Sequence, residues 1–95
     1  MSKIACASHI LVKTEREANS ISQQLNKGVN FAALAKKHST CPSKNKGGDL
    51  GEFAKGDMVK PFDKAVFTKG SEDKPFIGPI KTRYGYHLIQ VLYKS

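Results

Sequence analysis

The chain has 95 residues, enough for one modest hydrophobic core and too few for two, so a single domain over residues 1–95 is expected. Hydrophobic residues make up 39% and charged residues 25%, a folded-protein balance that excludes a disordered chain. Sixteen Lys and Arg against eight Asp and Glu give a net charge of +8, and no apolar run approaches the ~18 residues of a membrane-crossing helix.

The N-terminus, Met1-Ser2-Lys3-Ile4-Ala5-Cys6, lacks the long apolar stretch of a signal peptide and runs into a strand, so a cytoplasmic protein is expected. Ala5 to Val12 reads as that strand. It is largely apolar at both odd and even positions, as a central strand covered on both faces is. Thr14 with Glu17 three residues on is a capping box. It opens a helix with Ala18, Ile21 and Leu25 as its stripe and Lys27-Gly28 as its stop. Asn30 caps a second helix, in which Phe31, Leu34, Ala35 and His38 share an apolar face, and Pro42 ends it. Ser43 to Gly48 reads as a loop and Leu50 to Phe53 as a short strand. A third helix starts at Pro61 and buries Phe62, Ala65 and Val66. After a loop over Gly70 to Pro75, Phe76 to Thr82 reads as an edge strand broken by Gly78-Pro79. Arg83-Tyr84-Gly85 turns into a final strand, Tyr86 to Tyr93. The order β-α-α-β-α-β-β, closed by a hairpin, gives an α+β domain with a mostly antiparallel sheet.

Fourteen of the sixteen basic residues are Lys, and Lys27, Lys36, Lys37, Lys44 and Lys46 fall in a stretch without an acidic residue. Such a face attracts polyanions, yet a solvated basic surface with no dedicated partner is the reading to prefer, because Arg is the usual recognition residue. No specific nucleic-acid partner is expected: an aromatic stacking platform is missing. Cys6 and Cys41 are too few for a disulfide framework and too far apart for the close pairs of a zinc site.

His9 and His87 sit in the two longest apolar strands, one near each end of the chain. If these strands pair and the side chains share a face, the imidazoles meet across the ladder and bond each other, with Thr82 as a third member. Two independently satisfied core histidines are the other reading of the same spacing. Cys6 has the opposite parity to His9 and reads as a buried apolar residue. Cys41, in a loop, is free to enter a shared cleft. A zinc site from His9, His38, Cys41 and His87 is conceivable but disfavoured by spacing, and no metal or cofactor is expected.

Further marks are Gly48-Asp49-Leu50-Gly51, Gly56-Asp57-Met58-Val59-Lys60-Pro61-Phe62 and Tyr84-Gly85-Tyr86-His87. In order after Ser8-His9-Ile10-Leu11-Val12, they resemble the parvulin family of peptidyl-prolyl cis/trans isomerases, most of all its small stand-alone bacterial members. The resemblance runs from about Ala5 to Tyr93. It implies a parvulin-like (FKBP-like) fold, a four-stranded antiparallel sheet wrapped by helices. It also implies catalytic positions at His9, Cys41, Thr82 and His87, and a proline-ring pocket at Leu50, Met58, Phe62 and Tyr84. Phospho-directed parvulins carry a basic loop after the first strand. Here Lys13 and Thr14 lead straight into a helix with Glu15 and Glu17 in its first turn, and only Arg16 and Arg83 are arginines.

The resemblance therefore implies a monomeric isomerase acting on unphosphorylated Xaa-Pro bonds in unfolded or flexible polypeptides, assisting folding. A groove that holds such segments as a chaperone, with little catalysis, is the alternative, and a basic surface for anionic partners is compatible with either.

Overall fold

In the computed structural model, which describes residues 3–95, strand β1 spans Ile4–Val12 and strand β4 spans Gly85–Lys94. Met1 and Ser2, part of the N-terminal motif above, lie outside the described residues. The two strands pair antiparallel through eight positions, from Ala5↔Lys94 to Val12↔Tyr86, and form the middle of the sheet. Strand β2, Asp49–Ala54, flanks β1, and β3, Ile77–Thr82, flanks β4, giving the order β2-β1-β4-β3. The edge position of β3 suits Pro79, which has no N–H to give a neighbour.

Alternation along the central strands assigns each face its helices. Ile10, Val12 and Leu88 point to one side and pack with Ala18 and Ile21 of α1 (Glu15–Asn26) and Phe31, Leu34 and Ala35 of α2 (Phe31–His38). Ala5, Ala7, Ile89 and Val91 point to the other side, against Phe62 and Val66 of α3 (Lys60–Val66). Burying each large side chain contributes about 1.5–3 kcal/mol, so both faces stabilise the sheet. His9 and His87 have the parity of Ala7 and Ile89 and therefore lie on the α3 side.

The expected caps form. Thr14 Oγ1 accepts the Glu17 N–H at 3.2 Å, and Asn30 Oδ1 accepts the Ala33 N–H at 3.0 Å. Some boundaries differ. Helix α2 stops at His38 with Ser39 as its C-cap, well before Pro42, and His38 is only half-buried. Pro42 instead opens a 3₁₀ turn over Pro42–Lys46, inside what reads as a plain loop in the sequence. Helix α3 begins one residue before Pro61, a second 3₁₀ turn covers Ser71–Asp73, and Phe76 lies just outside β3. Such short turns have no hydrophobic period to read.

Two glycines allow close backbone approaches beside the histidines. Gly48 has φ +88°, and a Cβ there would stand 2.4 Å from the His9 carbonyl oxygen. Gly85 has φ +137°, and its Cβ would stand 2.4 Å from the Val12 carbonyl oxygen. Neither position tolerates a side chain without displacing β1.

Candidate active site

His9 lies opposite Ile89, and His87 lies opposite Leu11, so the two imidazoles meet on the diagonal of the β1–β4 ladder. Their Nδ1 atoms are 3.0 Å apart, and both residues are buried, at 5% and 4% exposure. Thr82 Oγ1 stands 2.7 Å from His87 Nε2 and accepts the Tyr84 N–H at 3.2 Å. A 3.0 Å contact between two Nδ1 atoms has room for one proton: one ring donates and the other accepts. Two protonated rings would set N–H against N–H. The contact therefore excludes a doubly charged pair, and burial favours the neutral one. Burial is the main cause that lowers both pKa values from 6.5 to about 4, and for His9 the nearby His87 contributes part of that lowering.

Phe62 joins this pair to the pocket. Its ring meets His9 edge-on at 5.6 Å and His87 edge-on at 5.3 Å between centroids. Phe53 backs it at 6.1 Å. Phe62 is held at 2% exposure by α3, yet it also walls a cavity of about 420 Å³. Leu50 from β2, Met58 and Val59 before α3, Leu11 from β1 and Pro42 supply the rest of its apolar lining. Tyr84 stands at the cavity with 57% exposure, and Arg83 lies over its ring at 5.0 Å.

His9, His87 and Cys41 line the same cavity. Cys41 is free and half-buried. Thr82 does not line it and reaches it through His87 and the Tyr84 backbone. Cys6 lies across the sheet, opposite Glu52 and Tyr93, as its parity requires. His38 is not part of the lining, and among the described residues no three His, Cys, Asp or Glu side chains group as a metal site.

The structure thus brings together Leu50, Met58, Phe62, Tyr84, His9, His87 and Cys41. The sequence reading did not name Leu11, Thr40, Pro42, Asp57 and Val59 among the lining residues. Leu11 was accessible to it: it lies two residues after His9 on the same strand face. Asp57 is held by accepting the Ala54 N–H at 2.9 Å.

A cavity with an apolar wall, a neutral imidazole pair and one thiol suits a reaction that rearranges an uncharged group without a bond being cut. Comparison with known proteins agrees. Residues 2–95 match the model of the PPIC-type PPIase domain. The chain is 52% identical over 86 residues to the foldase protein PrsA of Exiguobacterium sibiricum, covering 90% of this chain and 28% of that protein. The crystal structure of PrsA from Bacillus anthracis superposes with a TM-score of 0.91 at 38% identity, over 99% of this chain and 43% of that one. NmPin, the parvulin of Nitrosopumilus maritimus, is 41% identical with a TM-score of 0.79, and here 98% of this chain covers 99% of the other. The chain spans under a third of the length of the curated PrsA relatives it matches, 28% and 31% for the first two.

Proposed function

The chain belongs to the parvulin family of peptidyl-prolyl cis/trans isomerases, and we propose that it accelerates rotation about unphosphorylated Xaa-Pro bonds in unfolded or flexible polypeptides, assisting their folding. The observation that carries this reading is the apolar cavity of Leu50, Met58 and Phe62 set directly against the neutral His9–His87 pair and Cys41.

Rotating an Xaa-Pro bond breaks amide resonance, against a barrier of ~18–20 kcal/mol. A ~10⁶-fold acceleration needs about 8 kcal/mol of preferential binding to the twisted state. The planar amide is the more polar form, with charge separated between nitrogen and oxygen. Seating the proline ring on Phe62, Met58 and Leu50 strips water from that amide and favours the less polar twisted form. His9, His87 and Thr82 hold the cavity floor in one arrangement. Phe62 cannot shift without disturbing both imidazoles, since it packs on each. Cys41 serves as an electron-rich neighbour of the substrate carbonyl, with no covalent adduct.

Glu15 and Glu17, exposed in the first turn of α1, oppose a phosphate near the end of β1. A monomer is the working form in this reading. The two free thiols, on opposite faces of the sheet, fit a reducing compartment such as the cytoplasm. The exposed lysines Lys27, Lys36, Lys37, Lys44 and Lys46 serve solubility in this reading.

The test is refolding of a protein whose slow phase is prolyl isomerisation, together with paired Ser-Pro peptides, plain and phosphorylated. Faster refolding and no gain from the phosphate are expected. A large preference for the phosphopeptide would overturn the specificity.

A further inference from the structure

Strand β2 pairs with β1 only from Ile4 to Ser8. Beyond that, among the described residues, the outer edge of β1 has no strand beside it, although it carries Leu11 and leads to the cavity. The segment Ser39–Cys41 takes the vacant place. The Leu11 N–H donates to Ser39 Oγ at 3.1 Å, and the Leu11 carbonyl accepts from the Thr40 N–H at 2.8 Å and from the Thr40 hydroxyl at 3.2 Å. The same Ser39 Oγ accepts the Cys41 N–H at 3.3 Å. Ser39 is 4% exposed, and its own N–H caps α2 by donating to Ala35 O at 3.0 Å.

One hydroxyl oxygen therefore ties β1 to the segment and holds the Cys41 backbone. Leu11 also stands directly opposite His87 in the β1–β4 register. A single β1 residue thus measures out the separation between the thiol on one side and the imidazole on the other. We propose that Ser39 is a positioning residue, which sets Cys41 at a fixed place across the cavity from His87.

This rests on the isomerase reading above. Serine suits the place because its oxygen is on Cβ, within reach of both N–H groups, and little else fits a site so buried. Alanine would strand two amides and let the Cys41 segment move. Displacements of about 1 Å in a reacting constellation can cost on the order of 10²-fold in rate.

The experiment is a double-mutant cycle with turnover and thiol alkylation as its readouts. Ser39→Ala should lower kcat roughly tenfold with KM within about twofold, because Leu50, Met58 and Phe62, which seat the proline ring, are untouched. In a Cys41→Ala background the same change should cost less than about twofold, because the group it positions is gone. Alkylation of Cys41 by iodoacetamide, read by peptide mass, should change several-fold in Ser39→Ala. An equal loss in both backgrounds, or no change in Cys41 alkylation in the folded variant, would overturn the proposal. Should Ser39→Ala not fold, amide hydrogen exchange on the native chain decides. Protected Leu11 and Cys41 amides are expected, and a Cys41 amide exchanging at the free-peptide rate is the contrary result. If native protein turns over no peptide, the isomerase reading fails while the alkylation and exchange arms still test the tie.

Discussion

His9 and His87 bond each other through Nδ1 at 3.0 Å although neither is the other's partner in register: His9 faces Ile89, and His87 faces Leu11. The diagonal puts both rings over Phe62 and leaves one proton between them. The consequences are electrostatic and can be measured.

Acidification should destabilise the protein through this pair. The unfolded chain protonates both histidines as pH falls through about 6.5, while the folded chain does so only near 4. Between these values the unfolded state binds more protons, so stability is lost as pH drops and is fully present above about 6.5. The slope is at most about 1.4 kcal/mol per pH unit for each histidine. Urea midpoints from pH 7.5 to 4.5 would show it, with a shallower slope in His87→Gln. Activity of the folded protein should show no histidine step near 6.5. A loss of activity there without unfolding would mean that one imidazole titrates normally.

Removing the ring's wall should abolish function by a different route. Phe62→Ala should cost about 3–5 kcal/mol, because the side chain is 2% exposed and packed on Phe53 and both imidazoles. Met58→Ala, at a half-buried place, should cost less stability and still raise KM for proline peptides several-fold. Circular dichroism must establish folding before kinetics are read. Folded double variants with native turnover would place the ring elsewhere.

The frame was legible in the sequence because β1 and β4 are long, β-prone and apolar on both faces, and because alternation puts His9 and Cys6 on opposite sides. The cavity wall of Leu50, Met58 and Phe62 could be placed only through family resemblance, since these residues come from three separate segments with no common period. The Ser39 tie was not legible at all. A side chain accepting two backbone N–H groups leaves no hydrophobic pattern, and Pro42 reads as a helix stop when it opens a 3₁₀ turn.

Thr82 offers a subtler test. Thr82→Val keeps the shape but leaves His87 Nε2 and the Tyr84 N–H without their partner. The cost should be about 1–3 kcal/mol, seen as a lower melting temperature, with a partial loss of turnover. Unchanged stability would mean that water or another group replaces the hydroxyl.

Cys41 separates electrostatic from covalent catalysis. Cys41→Asp should keep substantial activity and Cys41→Ala should lose more, because a carboxylate remains electron-rich but cannot form a thiol adduct. The new charge would also raise the pKa of a nearby imidazole, so the comparison should span pH ~5 to 8. Equal and complete inactivity of both folded variants across that range would indicate a nucleophilic thiol.

The most direct measurement is magnetisation-exchange NMR on an unphosphorylated Leu-Pro or Phe-Pro peptide with substoichiometric protein. Uncatalysed exchange takes tens to hundreds of seconds. The exchange rate should rise in proportion to native protein and be several-fold lower at the same concentration of folded Met58→Ala. A peptide that binds the native protein yet exchanges at the uncatalysed rate would contradict catalysis and leave a groove that only holds proline segments.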